Sequence, residues 1–321
     1  MSKIVSIGEV LIDFIPFDVD GAENIMQQNA GGSPANVAVQ ASILGGDSAF
    51  IGKVGDDNFG KFLENVLVEK GVDTKGLIKD RTADTTLAFV HRDENGKRDF
   101  TFYRHPGADT LLNYSEIDFK QIDDCDIFHF GSVSLTDEPS RSTVSRAAEY
   151  AKSKGKTVTY DPNYREKLWS SPDAAISAMK GVLQYVDIMK LSEDEMKMLT
   201  DCDKLLQGIA MLLKIGMKVV IITQGPRGCI VACRHGIEYL PTYDVEVIDT
   251  LGAGDSFFGA FLYKLSESGK NIADLTLSEL MEFADFANAA GALTASKRGG
   301  IVAMPDKATV EECMANVRKL R

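Results

Sequence analysis

An α/β fold with a mostly parallel central sheet, helices on both faces and a small appended β-sheet follows from three features of the sequence. Brief apolar runs of β type alternate with amphipathic stretches of helical period over most of the 321 residues. Strands separated by helices of about 10–15 residues are joined by crossovers, and crossovers are what parallel pairing needs. No internal repeat or low-complexity linker interrupts this alternation. One segment does break it, with two period-2 runs joined by a turn signal, and that hairpin requires a second sheet.

The central strands are predicted at Ile4–Ile7, Ile127–Phe130, Thr157–Tyr160, Ile188–Leu191 and Val219–Thr223, each bounded by charge, Gly or Asp. Ser140–Lys154, Asp173–Tyr185 and Cys202–Ile215 carry the amphipathic pattern of the helices between them. The hairpin runs from Thr86 to Arg92 and back from Arg98 to Arg104, and Asn95-Gly96 at its tip tolerates the positive φ of a tight turn. The stretch from Phe14 to Asn29 is irregular and can add strands to that small sheet. Residues 1–321 therefore read as one domain, with a lid over the active site built from about 14–30 and 84–108. An edge hairpin with no catalytic part remains the alternative.

Composition narrows the function classes. Hydrophobic residues make up 44% and charged residues 26%, ordinary values for a chain with a large core. A net charge of −12 argues against nucleic acid, whose phosphates need a basic face, but not against a small phosphate ligand held by backbone amides. The strongest apolar run, around Val219–Ile222, is far shorter than the roughly 18 residues of a membrane span, and no secretion leader is expected. Cys125, Cys202, Cys229, Cys233 and Cys313 are scattered and odd in number, the pattern of free, mostly buried thiols. Asn113-Tyr114-Ser115 matches a glycosylation acceptor by chance in such a chain. The compartment implied is a reducing cytoplasm.

The most informative stretch is Asp249-Thr250-Leu251-Gly252-Ala253-Gly254-Asp255, followed at once by a helical pattern. Gly252, Ala253 and Gly254 expose backbone N–H groups at a helix start, where the helix dipole favours an anion. Asp255 beside that anion hole is ill-suited to binding phosphate, because like charges repel. It suits accepting a proton from an incoming hydroxyl, although a helix N-cap is the alternative. A phosphate-binding G-x-x-x-x-G-K-[ST] loop and a dinucleotide fingerprint are both absent. A second glycine pair, Gly31-Gly32, precedes Ser33-Pro34-Ala35-Asn36, where backbone can approach a ligand and Asn36 can hydrogen-bond a polyol.

These stretches, in this order, resemble the signatures of the ribokinase-like (PfkB) carbohydrate kinase family. The resemblance runs almost end to end, through Gly8-Glu9-x-x-x-Asp13, Gly31-Gly32-x-x-x-Asn36, Gly52-Lys53-Val54-Gly55-Asp56-Asp57-x-Phe59-Gly60, Thr223-x-Gly225-x-x-Gly228 and the Asp249–Asp255 block. It implies a three-layer α/β/α domain with a β lid, ATP as phosphoryl donor and Mg2+ as its metal. It also implies sugar contacts from Asp13, Gly31, Gly32 and Asn36, and a nucleotide site lined by Thr223, Gly225, Gly228 and Gly254. Asn288 lies near the adenine on this reading, or else merely in a small-residue packing surface. Gly252, Ala253 and Gly254 then form the anion hole, with Asp255 as base.

Glu195 fits the last position of the family's Asn-x-x-Glu element, which organises magnesium through water. Here the element is Ser192-Glu193-Asp194-Glu195, so Ser192 offers a hydroxyl where the family has an amide. Asp249 and Gly299-Gly300 lie where related enzymes build a monovalent-cation site, so K+ is held open as a second ion. A homodimer through the lid is likewise held open.

Within the family, Asp161-Pro162-Asn163-Tyr164-Arg165-x-x-Leu168-Trp169 resembles both fructokinases and 2-keto-3-deoxygluconate kinases. Phe102-Tyr103-Arg104-x-Pro106-x-Ala108-Asp109 is more similar to fructokinases. Asp13 agrees, since a fixed carboxylate repels an acid sugar by about 4 kcal/mol at 4 Å and an effective dielectric of 20. Arg104 and Arg165 oppose it, because arginine pairs with a substrate carboxylate. Asn163 and Tyr103 complete the expected sugar contacts, and fructose is the substrate expected. A catalytically silent sugar sensor on the same fold is the competing class; the complete glycine loop and Asp255 argue against it.

Overall fold

The computed structural model describes residues 3–17, 25–92 and 98–320. The hairpin tip at Asn95-Gly96 lies outside the described residues, as does part of the 14–30 segment. The strands are β1 (Ile4–Ile7), β2 (Leu11–Pro16), β3 (Met26–Gly31), β4 (Ser48–Gly55), β5 (Asp73–Asp80), β6 (Leu87–Arg92), β7 (Arg98–Tyr103), β8 (Ile127–Gly131), β9 (Thr157–Asp161), β10 (Ile188–Ser192), β11 (Val219–Thr223), β12 (Cys229–Cys233) and β13 (Gly236–Leu240). The helices are α1 (Ser33–Ile43), α2 (Asn58–Glu69), α3 (Phe119–Asp123), α4 (Ser140–Ser153), α5 (Pro172–Gly181), α6 (Glu193–Thr200), α7 (Leu205–Ile215), α8 (Ala253–Ser268), α9 (Leu277–Ala295) and α10 (Lys307–Asn316).

Nine strands form the large sheet in the order β13-β12-β11-β10-β9-β8-β1-β4-β5. Pairing is parallel from β11 across to β5, and β12 and β13 are added antiparallel at one edge. Helices cover both faces, so central strands such as β1, β4 and β8 are buried along their whole length. That double burial is why they read as unbroken apolar runs rather than as alternation. Side chains of β1 still divide between the faces: Ile4 joins the core under α1, α8 and α9, while Val5 and Ile7 join the one under α4.

Local differences from the predicted elements have local causes. The run Cys202–Ile215 forms a helix only from Leu205, because Asp201 adopts a left-handed conformation that ends α6 just before it. The helix from Asp173 extends to Gly181 and gives way to a 3-10 turn at Leu183–Tyr185. β5 escapes an apolar search because it is an edge strand carrying Asp73, Lys75, Lys79 and Asp80, charges that suit an unpaired edge.

The predicted second sheet is present, with four strands in the order β3-β2-β6-β7. Leu11 pairs with Gly31 and Leu87 with Tyr103 in antiparallel ladders, while β2 and β6 run parallel. Its inner side joins a third core of Val10, Ile12, Ala30, Val39, Phe50 and Val54. Cys125, Cys229, Cys233 and Cys313 are buried and Cys202 half-buried, all as free thiols. No helix among the described residues is long and apolar enough to cross a membrane.

α8 positions the candidate site, and Phe258 anchors it. The ring is fully buried and meets the His129 ring of β8 edge-on, with centroids 5.2 Å apart. Phe258→Ala should therefore lower the unfolding free energy by about 3–5 kcal/mol, read from the urea midpoint at unchanged slope. A loss below about 1 kcal/mol would mean that α8 is held by other contacts.

Candidate active site

In an open parallel sheet, ligands bind outside the carboxyl ends of the strands. Here the ends of β9 and β10, the Gly31-Gly32 turn after β3 and the start of α8 come together at that edge. Gly252 is the N-cap of α8 and takes φ 73°, a left-handed conformation natural to glycine. The first helical bond runs from the Ser256 N–H to the Gly252 carbonyl, so the N–H groups of Gly254 and Asp255 precede it and have no partner within the helix.

Asp255 is not the cap. It lies inside the first turn, almost fully buried, and its carboxylate accepts three hydrogen bonds from two separate segments, α1 and the loop after β9. Ser33 Oγ donates to Oδ1 at 2.7 Å, Asn163 Nδ2 to Oδ1 at 3.2 Å and Asn36 Nδ2 to Oδ2 at 2.8 Å. A carboxylate offers about four lone-pair positions, so these donors leave one acceptor position, on Oδ2. Asn36 is itself incomplete: its buried Oδ1 has no hydrogen-bond partner. Such an orphan is costly unless a ligand satisfies it.

One cavity contains this carboxylate, with Asp13, Gly32, Asn36, Asn163, Arg165 and Gly252 on its walls and Phe100 and Phe102 reaching in from the small sheet. Gly31 is needed for Asp13, since a Cβ there would stand 2.0 Å from Asp13 Oδ2. Gly32 takes φ 107°, and a Cβ there would meet the Glu9 carbonyl at 2.5 Å. Behind this turn, Glu9 accepts the Ser33 N–H and the Ser134 hydroxyl.

A second cavity, of ≈ 420 Å³, opens on the other side of the glycine loop. Thr223, Gly225, Gly228, Ala253, Gly254 and Asn288 line it, beside the apolar Val245, Val247 and Phe257. That size and apolar lining fit a small-molecule site. Asn288 is buried, and its amide faces Cys229 Sγ and the Pro241 carbonyl. Gly252 thus faces the first cavity while Ala253 and Gly254 face the second.

Between them lies a third cavity, of ≈ 460 Å³, lined by Asp161, Asn163, Arg165, Lys190, Ser192, Asp194, Glu195 and Thr223. Ser192 caps α6 reciprocally with Glu195. Both Glu195 oxygens accept backbone N–H groups, Oε2 from Ser192 at 2.7 Å and Oε1 from Tyr164 at 2.8 Å. Asp249 accepts the N–H groups of Leu251 and Gly299 at 3.1 and 3.2 Å. Among the described residues no group of three or more His, Cys, Asp or Glu side chains is arranged to hold a metal by itself.

Two expected sugar contacts are not brought to the Asp255 cavity. Tyr103 is 63% exposed and does not line it. Arg104 is buried beside it, and internal partners take up its guanidinium. Nε and NH2 bind Asp109 at 2.8 and 2.7 Å, NH1 binds the Thr136 hydroxyl, and NH2 also binds the Val133 carbonyl. The arginine ties the small sheet to the segment after β8, which an arginine beside aromatic residues does not reveal in sequence.

Sequence reasoning also missed Lys190, whose ammonium sits in the third cavity 2.7 Å from Asp161 Oδ2. Burial pulls that ammonium down, but Asp161, Glu195 and Asp255 together hold it above the ordinary lysine value. The available signal was a lysine inside the otherwise apolar run Ile188–Leu191.

The family model of the pfkB carbohydrate kinases matches residues 1–307. The chain belongs to that family. Among its pfkB relatives, a protein named probable fructokinase-5 from Arabidopsis thaliana is 43% identical over 321 residues, covering 98% of each chain. The crystal structure of fructokinase with bound ATP from Xylella fastidiosa superposes with a TM-score of 0.91 at 32% identity, covering 98% of both chains. A fructokinase double mutant from Vibrio cholerae O395, in a form with fructose, ADP and potassium ion bound, gives 0.89 at 32%, again over 98% of both.

Glu9 supplies a pH test of this pfkB site. Burial pushes its carboxyl up to about 7 from 4.5, against the pull of its own backbone, Ser134 and Arg104, with Asp109 adding to the rise. Between those values the folded chain keeps a proton that the unfolded chain has released. This contribution to stability is thus full below about 4.5 and is lost as pH rises to about 7, a change of about 3 kcal/mol. Glu9→Gln should flatten the fall in melting temperature between about pH 5 and pH 8. An unchanged slope would assign the pH dependence to other groups.

Proposed function

We propose that this kinase transfers the γ-phosphate of ATP to the 6-hydroxyl of D-fructose, with Asp255 as general base. The observation that carries the reading is the glycine loop at the start of α8, which separates a polar cavity containing Asp255 from a nucleotide-sized one. In the reaction, the sugar hydroxyl gives its proton to the remaining acceptor position on Asp255 Oδ2. Its oxygen forms the new bond to Pγ as the bond to the ADP oxygen breaks. The N–H groups of Gly254 and Asp255, with the α8 dipole, face the charge on the transferred group. Ala253 N–H already leans on the Thr250 carbonyl at 3.3 Å, so it adds less.

Fructose suits the polar cavity. Asn36 Oδ1 accepts a hydroxyl, Asp13 accepts another, and Asn163 and Arg165 border the rest. ATP fits the second cavity, its adenine near Asn288 and its chain of phosphates running past Thr223. Mg2+ fits the third cavity, whose oxygen donors suit a hard cation that would be held partly through phosphate and water, with Glu195 as the carboxylate that would organise that water. The ion's chemistry is to neutralise the phosphate oxygens. K+ fits beside Asp249 and Gly299-Gly300, and the potassium in the Vibrio structure supports it.

Residues 1–321 act on this reading as one cytoplasmic kinase domain, with the small sheet as its lid through Phe100 and Phe102. The exposed Phe17, Ile25 and Tyr103 on or beside that sheet support a homodimer formed through it.

Two measurements test this. Asp255→Asn should lower kcat by about 10²–10⁴ while nucleotide affinity stays within about threefold; a variant keeping over a tenth of kcat would leave Asp255 a positioning role only. In a sugar panel with coupled ADP detection, kcat/KM for D-fructose should exceed that for 2-keto-3-deoxygluconate at least about tenfold. The acid sugar leaves a hydroxyl partner unpaired, costing about 1–3 kcal/mol, and brings a carboxylate towards Asp13. If the acid sugar wins, Arg165 defines the pocket and fructose is the wrong substrate.

A further inference from the structure

Lys190 is a fixed positive charge in the third cavity, against the first turn of α8. Its side chain is 8% exposed and forms a 2.7 Å ion pair with Asp161, which is fully buried. A Cβ on Gly254 would stand 3.0 Å from its Nζ, so the ammonium reaches the space directly over the first turn of α8. An ammonium has three donors, and Asp161 takes one of them. A buried ion pair is a poor device for stability alone, since apolar residues of similar volume usually serve at least as well. Arg165, the other cation here, is half-buried, and its NH1 bonds to the Asn163 and Tyr164 carbonyls.

We propose that Lys190 is a further catalytic residue, whose ammonium contacts the phosphoryl group as it passes from ADP to the sugar oxygen. Asp161 positions it, and Gly254 leaves the gap through which it reaches that group. Negative charge on the phosphoryl oxygens then lies between the α8 amides on one side and Lys190 on another. The inference rests on the kinase reading above. Proton and bond changes are those of that reaction, and Lys190 keeps its own proton throughout.

The test compares nucleotide binding with turnover in Lys190→Met, Lys190→Arg and the double variant Asp161→Asn/Lys190→Met. The double variant removes both buried charges and so guards against misfolding. Calorimetric titration with ADP and with the non-hydrolysable β,γ-imido analogue of ATP reads the γ-phosphate contact directly. We expect Lys190→Met and the double variant to weaken the triphosphate analogue at least about tenfold more than ADP. Both should lower kcat by about 10²-fold with fructose KM nearly unchanged, and Lys190→Arg should recover part of each effect. Equal loss for both nucleotides, or wild-type kcat in a folded double variant, would make Lys190 only the counter-ion of Asp161. If the wild type phosphorylates no sugar, the kinase reading fails. The difference between the two nucleotides still decides whether Lys190 meets a γ-phosphate.

Discussion

The carboxylate of Asp255 is the point on which the molecule's arrangement turns. A buried negative charge is unfavourable unless donors meet it, and three do, from α1 and from the loop after β9. Those donors are separated from Asp255 by 222, 219 and 92 residues along the chain. The fold brings them together because α1, which follows β3 of the small sheet, the loop after β9 and the start of α8 meet around one cavity. The α8 dipole adds a favourable field at the same place, so an acid sits beside amides that favour an anion.

Around that centre the protein concentrates buried charge. Glu9, Asp13, Asp161, Lys190 and Asp255 are all nearly inaccessible, and each lines the first or the third cavity. The Arg104–Asp109 pair lies beside them and joins the small sheet to the segment after β8. Such groups weaken a core more often than they strengthen it, and their clustering at one edge marks where the structure serves chemistry.

The polar cavity sets neutral amides beside its charged side chains. Asn36 donates an amide hydrogen to Asp255, lines the cavity and keeps a buried oxygen without a hydrogen-bond partner. Because Arg104 is taken up internally, Arg165 is the basic side chain on that wall, and the argument for an acid sugar loses half its support. The relatives named as fructokinases point the same way.

Much of this was legible in the sequence, because the signals are local. Apolar runs alternating with amphipathic stretches determined the layered α/β sheet, two period-2 runs determined a hairpin, and glycines at Gly31-Gly32 and Gly252–Gly254 marked where backbone must approach a ligand. Tertiary structure alone decided which side chains reach those glycines. Periodicity says which face a strand residue takes, not what lies across from it, so Lys190 read as an oddity in an apolar strand until Asp161 and Gly254 came within reach. Arg104 reads as an open guanidinium until its internal partners appear, and Asp255 as a possible helix cap until Gly252 is seen to take that position. In each case the deciding quantity is a distance between segments far apart in the chain, and sequence patterning carries no such distance.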